Sequence, residues 1–398
     1  MKIVVGVTAS IAIYKALDLV NQLRKEQHEV RVVMTAHACE FVRPLAFETM
    51  SHQPVISAMF SAQIPALEHI ELAKWADVCV IAPADANIIA KVANGLADDF
   101  LSTFLLAFDG PVLFAPAMNT VMFHQDVVQK NVQRLRELGY EIIPSDSGRL
   151  ACGDVGEGKL AELETLMFYI KKAVTKQSLA GVKLIITAGP TIAKLDPVRY
   201  ITNYSSGKMG FSLAYGAALR GAKVVLIAGR VQRQTPVGVS RIDVETTEEM
   251  RNAIVQVLPE ADGLIMAAAP ADYAPEHYSE EKIKKTGDKL TLILDKNVDI
   301  LKSLKPVVQP HQVLIGFAAE SHKLIANAQR KLSEKNLDFI VANNIAGENS
   351  AFQSDYDTAV LLFQDGHREE LERQLKINLA DKILDELERL RALRRDTH

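Results

Sequence analysis

The stretch KIVVGVTASIAIYKALDLVNQLRK, residues 2–25, decides the fold of the first half, because it sets a buried strand directly before an amphipathic helix. Its opening apolar run is typical of a strand buried on both faces, and apolar residues at helical spacing predict a helix over Ile11–Lys25. Gly6, Thr8 and Ser10 interrupt the apolar residues between them, as a strand-to-helix turn does. That interruption argues against a secretory signal peptide, the other interpretation of such an N-terminus.

The alternation of strand and helix continues through the first half of the chain. Its further strands are predicted at 29–35, 77–84, 111–118 and 140–145. Two of the intervening helices are predicted to end at Gly95 and Gly139, since glycine readily adopts the left-handed conformation that closes a helix.

The pattern restarts near Val182, and it does so without a visible sequence repeat. Strands or strand–helix units are predicted at 182–191, 210–229, 262–273, 312–319 and 338–344, followed by a hairpin over 358–372 and a long final helix. Such alternation predicts parallel, doubly wound sheets. The predicted fold class is therefore α/β, with two doubly wound Rossmann-like domains at 1–182 and 183–398.

Composition excludes several classes of protein. The 398 residues carry a formal net charge of −4, which gives no basic field for nucleic acid or an anionic membrane. No apolar stretch reaches the ~18 residues that a membrane span needs. The three cysteines, Cys39, Cys79 and Cys152, form no metal-binding pattern and suit a reducing compartment, so we expect a cytoplasmic protein. Cys79 is predicted to be a core residue and Cys39 to pack on a helix.

Open α/β sheets bind ligands at the carboxyl ends of their strands, which directs attention to the residues that follow each apolar run. Thr8 and Ser10 stand at a predicted helix N-terminus, where they would hold a phosphate or act as an ordinary N-cap. His69 is either a catalytic base or a structural histidine. Asn119 follows a strand directly, and Cys152 lies in a glycine-rich, hence mobile, loop at 150–160 that suits a reactive thiol better than a core residue.

In the second half, YITNYSSGKMG at 200–210 has the composition of a phosphate-binding loop. It is not a Walker motif, since Met209 follows Lys208 and no glycine lies five residues before Gly207. The lysine-rich KIKK, which begins at Lys282, is either an anion site or a solvated turn. The small residues of MAAAPA, from Met266, allow either close approach of a nucleotide or tight helix–sheet packing.

The order of three motifs in the first half resembles a known family. His69 before ADVCVIAPADAN, then PAMNTVM from Pro116, then ACGDVGEGK from Ala151 resemble the flavin-dependent cysteine decarboxylases, and more narrowly the phosphopantothenoylcysteine decarboxylases of coenzyme A synthesis. The resemblance covers almost all of residues 1–175. It implies a flavodoxin-like domain that binds FMN and decarboxylates 4′-phosphopantothenoylcysteine.

The resemblance also implies roles for individual residues. His69 would be the base that acts on the substrate thiol, since imidazole titrates near neutrality. Asn119 would hold the substrate carboxylate without adding charge, and Cys152 would donate the final proton, since an ordinary thiol is mostly protonated at pH 7. The implied FMN contacts are Thr8, Ser10, Ile11, Thr35, Ala84, Asn87, Ser102 and Met118.

The stretch AGPTIAKLDPVRYITNYSSGKMG at 188–210 and the motifs after it, to about residue 365, resemble the CTP-dependent phosphopantothenate–cysteine ligase that is fused to this decarboxylase in bacteria. The resemblance implies CTP, Mg²⁺ and an acyl-cytidylate, with Asn203 and Lys282 as catalytic residues and no metal ligand assigned. The implied CTP-binding residues are Ser205, Ser206, Gly207, Lys208, Met266, Ala267, Ala268, Asp272, Lys282, Val298, Asp299, Ile300, Leu301, Phe317, Lys331 and Lys335.

The chain departs from the family pattern at several positions, namely Ala9, Asp85, Phe123, Ala193 and Val298. Asp85 replaces a hydroxyl residue near the expected flavin phosphate, where a carboxylate would be repulsive, so its side chain is expected to face solvent or a neighbouring subunit. Ala193 replaces an acid, which would weaken metal binding in the ligase half.

Two other functions compete with the bifunctional enzyme. A nicotinamide-dependent dehydrogenase would show G-x-G-x-x-G after a strand, and neither half carries it. A non-catalytic flavin-binding regulatory protein would lack the histidine or the cysteine, and this chain has both His69 and Cys152. The family also implies a homo-oligomer, namely a dodecamer built from trimers of one domain and dimers of the other, with small-molecule substrates as its other partners.

Overall fold

The computed structural model describes residues 1–60, 67–149, 153, 155–285, 289–320, 322–344 and 354–396. The chain divides into two compact units, 1–176 and 177–398.

The first unit alternates strands and helices as its apolar pattern predicts. Its strands are β1 Lys2–Val7, β2 Glu29–Met34, β3 Val78–Ala84, β4 Val112–Pro116, β5 Glu141–Ile142, β6 Asp146–Arg149 and β7 Val155–Lys159. Its helices are α1 Ile13–Lys25, α2 Ala36–Phe41, α3 Pro44–Ser51, α4 Glu68–Trp75, α5 Ala86–Ala93, α6 Phe100–Ala107, α7 Thr120–Phe123, α8 Asp126–Glu137 and α9 Leu163–Val174.

The five-stranded sheet of this unit is parallel and has the order β2-β1-β3-β4-β5. That is the flavodoxin-like order, whose switch point lies between β1 and β3. One core, on α1, α3 and α9, and a second core, on α5, α6 and α8, cover the two faces of the sheet. Cys79 lies fully buried in the second core, where burial raises the pKa of its thiol, and Cys39 lies in α2, so both predictions for these cysteines are confirmed.

Local sequence signals mark most element ends in this unit. Gly95 and Gly139 follow α5 and α8 with φ of 70° and 90°, as predicted for closing glycines. The helix predicted from Ile11 begins two residues later, at Ile13. The prediction of a mobile loop at 150–160 is wrong for its second part, because residues 155–159 form β7 and pair antiparallel with β6.

The second unit is also doubly wound. Its strands are β8 Lys183–Ala188, β9 Ile192–Lys194, β10 Tyr200–Thr202, β11 Lys223–Ala228, β12 Val239–Asp243, β13 Gly263–Met266, β14 Tyr273–Pro275, β15 Leu294–Lys296, β16 Val313–Glu320, β17 Phe339–Asn344, β18 Tyr356–Phe363 and β19 Arg368–Leu375. Its helices are α10 Lys208–Leu219, α11 Thr247–Val257, α12 Ile300–Leu304, α13 Leu324–Glu334 and α14 Lys376–Asp396, with a short 3₁₀ turn at Leu258–Glu260.

The main sheet has the order β12-β11-β8-β13-β16-β17-β18-β19, and it is parallel from β12 to β17. The predicted hairpin near the C-terminus forms the antiparallel pair β18–β19. Helices α11, α12 and α13 contribute to one core, whereas α10 and α14 pack together on the other face. The predicted fold class, two doubly wound α/β domains, is confirmed.

Glycines in the second unit allow the close approach of α10 to the sheet. A Cβ on Gly210 would lie 2.5 Å from the Cβ of Ala188 in β8. Gly207 has φ of 74° and precedes the first helical residue, Lys208. The loop before α10 is therefore held against the carboxyl end of β8. In the described part of the chain, no helix is long and apolar enough to cross a membrane.

Candidate functional sites

In the first unit, Thr8 joins the two turns that meet at the switch point of the sheet. Its buried hydroxyl donates to the carbonyl of Pro83 at 2.9 Å and accepts from the amide of Asp85 at 2.8 Å. The hydroxyl therefore both donates and accepts a hydrogen bond within the protein. Thr8 sets the distance between the end of β1 and the end of β3.

Asp85 also faces its own chain, which corrects the expectation that it faces solvent or another subunit. Its Oδ1 accepts from the amide of Ile88 at 2.8 Å and so caps α5, and its Oδ2 accepts from the amide of Ala9 at 3.2 Å. The carboxylate takes the capping role that a serine or threonine would fill at this position.

The turn before α1 fits a phosphate group. The amides of Ala12 and Ile13 are directed to Ser10 Oγ and Ser10 O, whereas those of Ser10 and Ile11 have no acceptor among the described residues. α1 has 13 residues, so the positive end of its helix dipole lies beside these amides. The turn therefore presents two backbone amides that lack an acceptor among the described residues.

Other predicted FMN residues lie at or near the ends of strands. Thr35 caps α2, with its hydroxyl accepting from the amide of Ala38 at 3.3 Å. Ala84 ends β3 and is fully buried, while Asn87 lies exposed in the first turn of α5. The amide of Met118 donates to the carbonyl of Gly158 at 2.9 Å.

Ser102 is 1% exposed, and its hydroxyl and amide both bond to Asp99 at 2.8 Å. This capping box fixes the start of α6. His69 is the second residue of α4, and its ring lies edge-on to Phe100 with centroids 6.4 Å apart. The predicted base therefore lies beside the first residue of α6.

Asn119 caps the short helix α7, with its Oδ1 accepting from the amide of Val121 at 2.8 Å. Next to it, the hydroxyl of Thr120 donates to the carbonyl of Glu157 in β7 at 2.8 Å. The β6–β7 hairpin is therefore attached to the residue after Asn119. Cys152, between these strands in the sequence, lies outside the described residues, and no described contact joins Asn119 to His69.

In the second unit, one cavity of about 630 Å³ follows the carboxyl edge of the sheet. It gathers Asn203 and every predicted CTP-binding residue except Lys282: Ser205, Ser206, Gly207, Lys208, Met266, Ala267, Ala268, Asp272, Val298, Asp299, Ile300, Leu301, Phe317, Lys331 and Lys335. The Nδ2 of Asn203 donates to the carbonyls of Ala269 and Pro270 at 3.2 and 3.0 Å, which ties the loop to the end of β13.

Three lysines of the cavity are paired with carboxylates. Lys331 contacts Glu320 at 2.6 Å, Lys335 contacts Asp299 at 3.1 Å, and Lys208 contacts Asp355 at 2.6 Å. Burial raises the pKa of the Asp299 carboxyl, but the bonds from the Lys302 amide and Lys335 outweigh it and leave the pKa below its ordinary value. An entering polyanion would replace these carboxylates as the partner of the lysines.

Lys282 does not line the cavity, but its neighbour Ile283 is firmly held. The carboxylate of Asp196 accepts from the amide of Ile283 at 3.2 Å, and the guanidinium of Arg199 donates to its carbonyl at 2.6 Å. Asp196 is 3% exposed and also binds Arg199 at 2.8 Å. These contacts anchor the lysine-rich segment beside β10.

The cavity is also lined by residues that were not predicted, among them the buried polar residues Asn343, Asp357 and Lys376. Asn343 lies in strand β17, next to its carboxyl end, so the rule of polar residues at strand ends could have found it. Asp357 and Lys376 lie in β18 and at the start of α14, where no local pattern marks them. In the described ranges, no three His, Cys, Asp or Glu side chains converge to hold a metal ion.

The fold and the two sites define a class: a two-unit α/β protein with a flavodoxin-like first unit and a Rossmann-like second unit, whose sheet has a cavity of about 630 Å³ at its carboxyl edge. Family models match both units, "Flavoprotein" over residues 1–175 and "DNA/pantothenate metabolism flavoprotein C-terminal domain" over 179–390. The chain belongs to the family of coenzyme A biosynthesis bifunctional proteins.

Similar proteins extend over nearly the whole chain. The coenzyme A biosynthesis bifunctional protein CoaBC of Haemophilus influenzae is 43% identical over 97% of this chain and 96% of its own length. The CoaBC protein of Bacillus subtilis is 42% identical over 96% and 95%. The predicted membership in a bifunctional enzyme family of coenzyme A biosynthesis is confirmed.

Solved structures match one unit each. The C-terminal domain of a CoaBC protein has a TM-score of 0.47 at 36% identity and covers 54% of this chain and 98% of its own. The FMN-dependent cysteine decarboxylase SpaF has a TM-score of 0.39 at 31% identity and covers 44% of this chain and 98% of its own.

Proposed function

We propose that residues 183–398 join 4′-phosphopantothenate to cysteine with CTP and Mg²⁺ through an acyl-cytidylate, and that residues 1–182 decarboxylate the product to 4′-phosphopantetheine with FMN. The observation that supports this most is the single cavity around Asn203, because it unites residues from five separated segments that the resemblance had assigned to CTP. Small residues at Met266–Ala268 leave room for a nucleotide against the backbone.

In the ligase half, the loop from Ser205 to Lys208 cradles phosphate at the start of α10. Lys331 and Lys335 exchange their carboxylate partners for the nucleotide. Mg²⁺ would be held largely by phosphate oxygens with few protein ligands, as is usual for this ion. Lys282 reaches the triphosphate from the anchored segment and stabilises charge as pyrophosphate leaves.

Asn203 positions the activated acid for attack by cysteine. Because its Nδ2 is bound to two carbonyls at the end of β13, its amide oxygen has a fixed direction. A neutral amide can accept a hydrogen bond from the attacking amine without adding net charge.

In the decarboxylase half, the amides of Ser10 and Ile11 hold the phosphate of FMN, while Thr8 and Asp85 fix the turn that presents them. Thr35, Ala84, Asn87, Ser102 and Met118 shape the remainder of the cofactor site. When bound, FMN supplies the electron sink that decarboxylation requires. His69 takes the proton of the substrate thiol, Asn119 holds the carboxylate and Cys152 returns a proton.

The active protein is a cytoplasmic homo-oligomer, a dodecamer in the full assembly. Large apolar side chains on the surface of the first unit support association, among them Ile11, Tyr14 and Leu45, which are 61, 58 and 68% exposed.

The test is a mass-resolved assay of the purified protein with 4′-phosphopantothenate, cysteine and Mg²⁺, with and without CTP. We expect 4′-phosphopantetheine only with CTP. Accumulation of 4′-phosphopantothenoylcysteine would contradict the proposed decarboxylase, and no product at all would contradict the ligase.

A further inference from the structure

The backbone at 268–271, shortly after β13, is bound through its amides to β8 and to the turn that follows it. The first amide donates to the hydroxyl of Thr187 at 3.1 Å, and the second donates to the carbonyl of Gly189 at 2.9 Å. The proline of the segment has no amide hydrogen. The last amide, that of Ala271, donates to Thr191 Oγ1 at 2.8 Å. Every amide hydrogen of the segment therefore has an acceptor on β8 or its turn.

Thr191 and Thr247 bind both polar groups of Ala271. The two hydroxyl oxygens lie 2.8 Å apart, and Thr247 donates to the carbonyl of Ala271 at 3.4 Å. Each hydroxyl has a single hydrogen, so Thr191, which accepts from the Ala271 amide, must donate to Thr247. The three hydrogen bonds form a closed ring that fixes the backbone of Ala271.

The loop that carries Asn203 is bound to the same residues. The hydroxyl of Thr202, directly before Asn203, donates to the carbonyl of Thr191 at 2.8 Å. The Nδ2 of Asn203 donates to the carbonyls of Ala269 and Pro270 at 3.2 and 3.0 Å. Thr191 therefore contacts both the residue before Asn203 and the segment to which the Asn203 side chain is bound.

Thr191 and Thr247 lie behind the cavity of the second unit. They are 0 and 1% exposed, and neither is among the described residues that line the cavity. Asp272 follows Ala271 directly and does line it, and the carbonyl of Asp272 accepts from the amide of Asn297 at 2.8 Å. A change at Thr191 can reach a bound nucleotide only through the residues that it holds.

We propose that Thr191 is a positioning residue of the ligase site, which sets the direction of Asp272 through Ala271 and the direction of Asn203 through the segment at 268–271. This inference rests on the proposed ligase function. Without the Thr191 hydroxyl, the Ala271 amide loses its acceptor in a buried place, so the segment must shift to regain one. That shift alters the wall against which the nucleotide lies.

The test is the variant Thr191→Val, which keeps the volume of the side chain and removes the hydroxyl. We expect KM for CTP to rise about tenfold, because displacement of Asp272 weakens nucleotide binding. The turnover number of ligation should fall about tenfold as well, because Asn203 loses its fixed direction. Thr191→Ser restores the hydroxyl and should bring KM for CTP to within about twofold of the wild-type value.

Thr247→Val is the milder variant, since the bond between the Ala271 amide and Thr191 remains. Only the longer bond to the Ala271 carbonyl is lost, so we expect KM for CTP to rise about threefold. This variant keeps the inference testable if Thr191→Val does not fold.

Gln312→Met is the control for a purely structural role. Gln312 is 2% exposed, and its Nε2 donates to the carbonyls of Leu258 and Ala261 at 2.6 and 2.9 Å. It lies directly before β16, at the opposite edge of the sheet from the cavity. Its loss should lower the thermal unfolding midpoint and leave KM for CTP unchanged, because a smaller folded fraction alters the apparent turnover number but not KM.

An unchanged KM for CTP in both threonine variants would overturn the inference, and so would an equal rise in Gln312→Met. A rise in Thr191→Val that Thr191→Ser does not reverse would overturn it as well. If the wild-type protein makes no CTP-dependent product, the proposed function fails instead. Binding of CTP to the same variants, measured by calorimetry, then still tests the role of Thr191.

Discussion

The carboxyl edges of the two sheets are built differently. In the first unit, the side chains of Thr8, Asp85 and Ser102 form hydrogen bonds with other groups of the protein. In the second unit, the cavity is lined by ion pairs, such as that of Lys331 with Glu320. We infer that internal bonds shape a fixed site for a retained cofactor, whereas exchangeable ion pairs serve substrates that enter and leave.

Asn203→Asp breaks the second site at the side chain that ties its loop to the segment after β13, and it should have the largest effect. A carboxylate would face the carbonyls of Ala269 and Pro270, with no donor for either. We expect ligation to slow by about 10²-fold, with acyl-cytidylate accumulating, as for loss of a catalytic hydrogen-bonding group. Rapid-quench mass analysis measures both. Decarboxylation of supplied 4′-phosphopantothenoylcysteine is the internal control, and wild-type ligation would exclude this role.

Thr8→Val tests whether internal bonding shapes the first site. Valine keeps the volume but leaves the Pro83 carbonyl and Asp85 amide without their partner, at a cost of about 2 kcal/mol in unfolding free energy. We expect a lower unfolding midpoint and weaker retention of FMN, measured by absorbance after gel filtration. The control is Thr49→Val on the exposed surface of α3. Full FMN retention and an unchanged midpoint would refute the comparison.

Asp85→Ala sharpens the comparison, because it separates the charge of Asp85 from its capping role. Loss of the α5 cap should lower the unfolding free energy by about 1 kcal/mol. FMN affinity should not rise, since the carboxylate is engaged with the amides of Ile88 and Ala9. A clear gain in affinity, measured by fluorescence titration, would mean that Asp85 repels the phosphate.

Asp99 gives the smallest expected effect and a pH dependence. Burial raises the pKa of the Asp99 carboxyl, but the bonds from Lys91 and Ser102 outweigh it, so its pKa in the folded protein lies below the ordinary 3.8. Its stabilisation is therefore complete above the unfolded pKa and is lost as the pH falls through the lower folded value.

The variant Asp99→Ala should be less stable than the wild type by about 1 kcal/mol at pH 7, by loss of the α6 cap. The difference should shrink as the pH falls below about 4. Denaturant unfolding across pH measures it. A difference that stays constant down to pH 2 would contradict the assignment to this carboxylate.

Apolar periodicity was sufficient to predict most of the fold, since short stretches of sequence mark both the buried strands and the glycines that end helices. Most residues that line the cavity of the second unit were named through the family resemblance. Only some of them, such as Ala267 and Ala268 after β13, follow a strand of the main sheet directly. The β6–β7 hairpin was missed, since its short strands are polar and rich in glycine. Asp85 was misjudged because its second bond comes from Ala9, which is close only after β1 and β3 pair.

Lys376 could not be predicted for a similar reason. Its place in the cavity depends on where α14 begins after β19, and on the alignment of α14 with α10. Arg220, directly after α10, fixes that alignment through Asp381, Asp385 and Glu388. Such contacts join residues about 160 positions apart and leave no local signal.

Helix α14 has a further consequence for the order in which the two units can be completed during synthesis. Its buried residues Leu379, Ile383 and Leu387 close the face of the second unit that α10 covers only in part. The first unit has all its strands and helices once residue 176 has been made. On the ribosome, the flavodoxin-like unit can therefore acquire its fold while the ligase unit still lacks the helix that brings Lys376 to its cavity.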